Sequence, residues 1–176
     1  MKDRKIYVVL TQTYTCIARA IKIISHEKYS HASIAFDDKC VEMYSFGRKY
    51  INFPFYGVFK REHIDSGLFT RNKNCLIAVY EINVTERQYI EIKNKIEEIK
   101  NTNKGYNIIG LLLAIFKIKL HRNKYYCSEF VYEVLSSDNV NVYNKNKIIF
   151  KPEDLVDNKK FNMIYEGKIR DFILNS

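Results

Sequence analysis

With 176 residues, 47% of them hydrophobic and 14% aromatic, the chain is sized for one globular domain (1–176) that folds around one core without staples. A formal charge of +9 and an isoelectric point near 9.3 admit a polyanionic partner. The lysines, however, are scattered among asparagines and isoleucines rather than gathered into a phosphate-binding tract, which argues against nucleic acid. Met1 to Lys5 leads into a strand-length apolar run only, so no signal peptide is expected. Lys5 to Leu10 reads as a strand and Thr15 to Ser25 as a helix with Ile17, Ala18, Ile21 and Ile24 on one face. A second strand starts at His31, with Ala32, Ile34 and Phe36 alternating. Asp37 to Lys39 forms a turn into a third strand, Val41 to Phe46, which Gly47 ends, so the pair is a hairpin. Residues 48 to 75, with Phe53-Pro54-Phe55 and Gly57, read as irregular, with a short helix near Val58 to Ile64. Leu76 to Ile82 is a strand. Thr85 and Gln88 spell a capping box for a helix running to about Asn101, with Ile92, Ile96 and Ile99 inward. Tyr106 to Ile118 is too short to span a bilayer, which takes ~20 residues. It is a buried helix or an interfacial one, and a sheet needing an apolar cover favours the first. An amphipathic helix starts at Cys127, and Lys147 to Phe150 and Asn162 to Glu166 close the chain as strands.

The chemistry concentrates in Tyr125-Tyr126-Cys127-Ser128-Glu129-Phe130. A thiol in the first turn of a helix feels the unpaired backbone N–H groups, which favour thiolate, the nucleophilic form. At 3.6 residues per turn Cys127 shares a face with Val131 and Val134 and points toward the protein body. A free cysteine so placed is either a small buried apolar residue or a nucleophile. His31 and Glu42 tilt the balance. With His31 opening one strand of the hairpin and Glu42 on the other, Glu42 is expected to hold one imidazole nitrogen while the other faces the thiol. His121, six positions before the cysteine, is a rival base in a basic segment that suppresses its proton affinity.

These residues resemble the circularly permuted branch of the NlpC-type papain-like cysteine hydrolases, the YiiX-like proteins, in which histidine precedes cysteine. The resemblance extends to Tyr44-Ser45-Phe46-Gly47-Arg48, to Tyr106-Asn107-Ile108-Ile109-Gly110-Leu111-Leu112 and to Lys151-Pro152-Glu153-Asp154-Leu155, and so covers nearly the whole chain. It implies Cys127 as nucleophile, His31 as general base and later acid, and Glu42 as the group that orients the imidazole.

The expected fold is α+β and papain-like, a curved antiparallel sheet against helices that include the cysteine helix. The expected reaction is acyl transfer from an amide, ester or thioester through a thioester on Cys127. Backbone N–H groups of Cys127 and Ser128 are candidate oxyanion donors, with Tyr7, Gln12, Thr13 and Tyr126 as side-chain candidates. No metal or other cofactor is expected, since the cysteines and histidines lack zinc-ligand spacing. Cysteines without CxxC pairing and without a signal peptide point to reduced thiols in a cytoplasm. Three functions stay open: an amidase or peptidase on a small peptide-like substrate; a lipid-directed hydrolase or acyltransferase using Leu111 and Leu112; and a non-catalytic anion binder. The basic stretch Lys117 to Lys124 is a solvated loop or a contact for anionic substrates or an anionic membrane.

Overall fold

The computed structural model describes residues 3–12, 28–50, 53–66, 69, 74–102, 105–106, 124–125, 127–137, 140–143 and 151–175. Its centre is one six-stranded sheet built from β1 (Asp3–Thr11), β2 (His31–Ala35), β3 (Met43–Tyr50), β4 (Phe53–Glu62), β5 (Leu76–Thr85) and β8 (Asn162–Lys168). The strand order is β4-β3-β2-β1-β5-β8, and every ladder is antiparallel. A short parallel pair, β6 (Gly105–Tyr106) with β7 (Lys124–Tyr125), stands apart from it.

β1 is central because its sequence is apolar on both sides. Ile6, Val8 and Leu10 enter one buried cluster with Ala32, Ile34 and Phe46, while Tyr7 and Val9 enter a second with Ala35, Met43 and Ile77. An uninterrupted apolar run of this kind belongs to a strand covered on both faces. The first cluster is completed by two helices, α1 (Glu86–Asn101) and α2 (Cys127–Ser136), and the second by α3 (Ile169–Asn175). The capping box of α1 is present: Gln88 N–H donates to Thr85 Oγ1 at 3.2 Å, and Thr85 N–H donates to Gln88 Oε1 at 2.9 Å. Ile92, Ile96 and Ile99 are its buried stripe. On α2 the inward residues are Phe130, Val131, Val134 and Leu135, and Phe130 packs against Phe46 and Phe59 with ring centroids 5.6 and 5.8 Å apart.

The fold class is as expected, α+β with an antiparallel sheet against helices that include the cysteine helix. The segment read as irregular, with a helix near Val58 to Ile64, is instead β4, the full partner of β3. Its proline and glycine disguised a strand at the end of the sheet's strand order, where an interrupted backbone pattern is tolerated. Gly47 does not end β3, which continues through it to Tyr50. The helix α3 had no counterpart in the sequence reading. The expected helices at 15–25 and 106–118 and the strand at 147–150 lie outside the described residues, apart from Tyr106 in β6.

Candidate active site

His31 is the first residue of β2 and pairs across the ladder with Thr11. Its ring thus stands at a strand end, where the first residue of α2, Cys127, meets it. The Cys127 thiol is near enough to help hold the proton on His31. Imidazole Nε2 lies 3.0 Å from Oε2 of Glu62, the last residue of β4. With Nε2 occupied by the carboxylate, Nδ1 is the nitrogen left for the thiol. Glu62, His31 and Cys127 thereby form a series that joins an outer strand, an inner strand and a helix.

The same carboxylate oxygen receives two further donors. Ser45 Oγ donates to Glu62 Oε2 at 2.8 Å and Ser33 Oγ donates to it at 3.2 Å. Both serines are fully buried. Gly47 gives the pair its space: a Cβ there would lie 3.8 Å from His31 Cε1 and 3.9 Å from Glu62 Oε1. That is ordinary van der Waals contact for a methyl group. The His31 and Glu62 side chains keep only 13% and 11% of their exposure.

Burial alone would push the His31 proton off. The charge of Glu62 and the hydrogen bonds from Cys127 and Glu62 outweigh it and raise the imidazole to about 10. For Glu62, burial resists ionisation, but the His31 charge and the hydrogen bonds of His31 and Ser45 prevail and bring the carboxyl down to about 2. Both directions describe a buried imidazolium–carboxylate pair that persists across the physiological range.

Glu42 was the residue expected on the imidazole, and the structure places it elsewhere. Its backbone N–H is held by Asp37 Oδ2 at 3.2 Å, and its carboxylate accepts from the Tyr44 hydroxyl and pairs with Arg61 Nε at 3.2 Å. The reason is strand parity. Ile34 pairs with Tyr44 and Ala35 with Met43, so on β3 the odd positions share a face with His31 and Ser33. Glu42 is even and sides with Tyr44. Met43 in turn pairs with Glu62, which puts Glu62 on the His31 face. A shift of one residue changes the face of a side chain. Glu62 lay inside the segment read as irregular, so its strand and its face went unassigned.

Of the oxyanion candidates, Ser128 is buried as the second residue of α2, and its N–H belongs to the first turn, whose donors have no partner within the helix. Gln12 is buried one residue past the Thr11–His31 rung, and its N–H donates to the Leu76 carbonyl at 2.9 Å. Tyr7 is displaced from the site. It pairs with Ala35, four residues along β1 from Thr11, or about 13 Å at the rise of a strand, and packs in the second cluster. Thr13, Tyr126 and His121 lie outside the described residues, as do Leu111, Leu112 and the basic stretch up to Asn123.

Neither a family model nor a curated protein sequence matches the chain. Among solved structures it is similar to that of the metalloprotein yiiX from Escherichia coli O157:H7, with a TM-score of 0.62 and 13% identity over 94% of this chain and 98% of that one. The fold is YiiX-like. At this identity the likeness concerns the path of the backbone, and it extends over nearly the full length of both chains. The site chemistry of the YiiX-like fold in this chain rests on its own residues.

Proposed function

We propose that the protein is a thiol-dependent acyl hydrolase of amidase or peptidase type, with Cys127 as nucleophile, His31 as proton carrier and Glu62 as the orienting carboxylate. The observation that carries this reading is the series Glu62–His31–Cys127, with the thiol on the first residue of a helix and the imidazole clamped on its far side. In attack, the Cys127 sulfur forms a bond to the carbonyl carbon, and the carbonyl π pair moves to oxygen, toward the first-turn N–H groups of α2. The imidazolium then gives its proton to the leaving nitrogen or oxygen as that bond breaks. Water cleaves the resulting thioester, giving one proton to the imidazole and restoring the thiolate–imidazolium pair. Glu62 takes no proton in this cycle; it fixes the ring and its charge.

The order of histidine before cysteine supports membership of the permuted NlpC-type papain-like hydrolases, acting as a single domain on a small peptide-like or acyl substrate. Among the described residues Cys40, Cys75 and Cys127 are free thiols, which supports work in a reducing cytoplasm. Among the described residues no helix is long and apolar enough to cross a membrane. The yiiX protein is called a metalloprotein. Here Glu62 takes Nε2 of His31 at 3.0 Å, in a hydrogen-bonded pair. No three His, Cys, Asp or Glu side chains among the described residues are arranged to hold a metal. These donors do not fit a metal-ligand set, and no step of the reading uses one.

The test is to incubate the protein with activated amide, ester and thioester acyl donors and follow intact and peptide mass. A transient acyl adduct on Cys127 is expected, absent in Cys127→Ala and slowed in His31→Ala. Turnover that persists in Cys127→Ala would refute the mechanism.

A further inference from the structure

Resting on that reading, we infer that Glu153 is a positioning residue for His31 and that the Lys151–Leu155 segment couples the strand of the imidazole to the helix of the thiol. The chain reaches His31 through Tyr29 and Ser30. Ser30 N–H donates to the Thr11 carbonyl at 3.0 Å, which begins the β1–β2 ladder. Tyr29 N–H lies one residue outside that ladder, and its partner comes from far along the sequence: Glu153 Oε1 accepts from it at 2.9 Å. The acceptor satisfies a backbone donor that the ladder itself does not reach. The same residue is held at its other end, where the buried Tyr29 ring directs its hydroxyl to Glu166 Oε1 on β8 at 2.6 Å. Two carboxylates thus grip the residue two positions before the imidazole.

Glu153 is itself mounted on the cysteine helix. It belongs to the 3-10 turn Pro152–Leu155, closed at its start by Lys151 N–H donating to Asp154 Oδ2 at 3.0 Å. Leu155 is fully buried in the cluster that holds Phe130, Val131 and Val134 of α2. Its carbonyl accepts from the Tyr143 hydroxyl at 2.6 Å. The turn is therefore packed on α2 through Leu155 and bonded to the approach of β2 through Glu153. Pro152 to Leu155, far from the cysteine in sequence, thus bridges the helix of the thiol and the strand of the imidazole.

The geometry requires reach rather than charge, because Glu153 is not among the groups that shift the His31 proton. Two conservative variants separate these. Glu153→Gln keeps the acceptor at the same reach. Glu153→Asp keeps the charge but is one methylene short. The readouts are the His31 Cε1–H titration by NMR and the pH dependence of iodoacetamide labelling at Cys127, each on protein shown to be folded by circular dichroism. Glu153→Gln is expected to match wild type. Glu153→Asp is expected to move the His31 titration downward and to slow Cys127 labelling at pH 6 by about tenfold, the size expected for roughly 1.4 kcal/mol of lost alignment. Identical profiles for Glu153→Asp and wild type, or equal losses in Gln and Asp, would overturn the inference. If wild-type labelling at Cys127 does not depend on His31 at all, it is the hydrolase reading that fails.

Discussion

Replacing Glu62 by glutamine removes a charge from the imidazole while leaving an oxygen in place. In the wild type, displacement of His31 from its ordinary 6.5 to about 10 is worth about 5 kcal/mol in favour of the imidazolium. The Glu62 charge is the largest raising influence, so without it burial dominates and the ring should titrate at or below 6.5. Stability follows with a definite sign. The raised His31 contributes fully below its unfolded 6.5, and that contribution is lost as pH climbs through about 10. The lowered Glu62 contributes above its unfolded 4.5, and that is lost as pH falls through about 2. Both are complete between pH 4.5 and 6.5. Removing one partner of a buried pair costs about 3 kcal/mol or more, and the wild-type advantage shrinks as its own imidazolium is lost on the way to about pH 10. Urea unfolding should therefore show Glu62→Gln destabilised by about 3 kcal/mol at pH 6 and much less near pH 10. NMR should follow the His31 Cε1–H in parallel. An imidazole that still titrates near 10 in the variant, or a penalty flat in pH, would refute the assignment of Glu62 to His31.

Glu42→Gln is the matched control: its carboxylate serves Tyr44 and Arg61, so the His31 titration and Cys127 labelling should stay at wild-type values, and a change in either would reinstate Glu42 on the imidazole. Ser45→Ala removes the 2.8 Å donor to Glu62 and should cost about 1.5 to 3 kcal/mol, as for hydrogen bonds to charged groups, with an upward move of the Glu62 carboxyl that this bond helps to hold down; chemical denaturation and NMR measure both. Phe130→Ala empties the contact of α2 with Phe46 and Phe59 and should lower unfolding free energy by about 3 to 5 kcal/mol, a loss that urea titration would detect and whose absence would mean that α2 is not anchored there.

The sequence made the inner strands and their order of chemistry legible because each carries a pattern with one physical meaning. The run Ile6 to Leu10 has no polar position and is covered on both sides. Thr85 with Gln88 is a reciprocal cap and starts α1 where expected. Cys127 opens α2 with Val131 and Val134 inward. What stayed hidden was pairing between segments. The distance from His31 to Glu62 is 31 residues, and nothing local in Phe53-Pro54-Phe55-Tyr56-Gly57 announces a strand. Glu42 attracted the orienting role by proximity along the chain, whereas the ladder gives that role by parity. Had the β3 face been assigned from Tyr44 and Phe46, both packed with the first cluster, Glu42 would have followed them away from His31. The Glu153 bond to Tyr29 spans 124 residues and has no local signature at all.

A carboxylate on the imidazole has a consequence for pH that a neutral amide in its place would not. The hydrolase reading needs an imidazolium to protonate the leaving group, and Glu62 keeps that proton on His31 to about pH 10. On the acid side the Glu62 charge survives down to about 2, so acidification should not release the clamp until well below the ordinary carboxylate range. Amide turnover should therefore keep its alkaline limb far above the ordinary 6.5 of histidine, falling as pH rises through about 10. Glu62→Gln should bring that limb down with the imidazole, and the displacement of the limb should equal the displacement of the His31 titration in the same variant. A wild-type rate that already falls through pH 7 would mean that the imidazolium is lost at its ordinary pH, unheld by Glu62 while it acts, and the series Glu62–His31–Cys127 would then hold the fold rather than the chemistry.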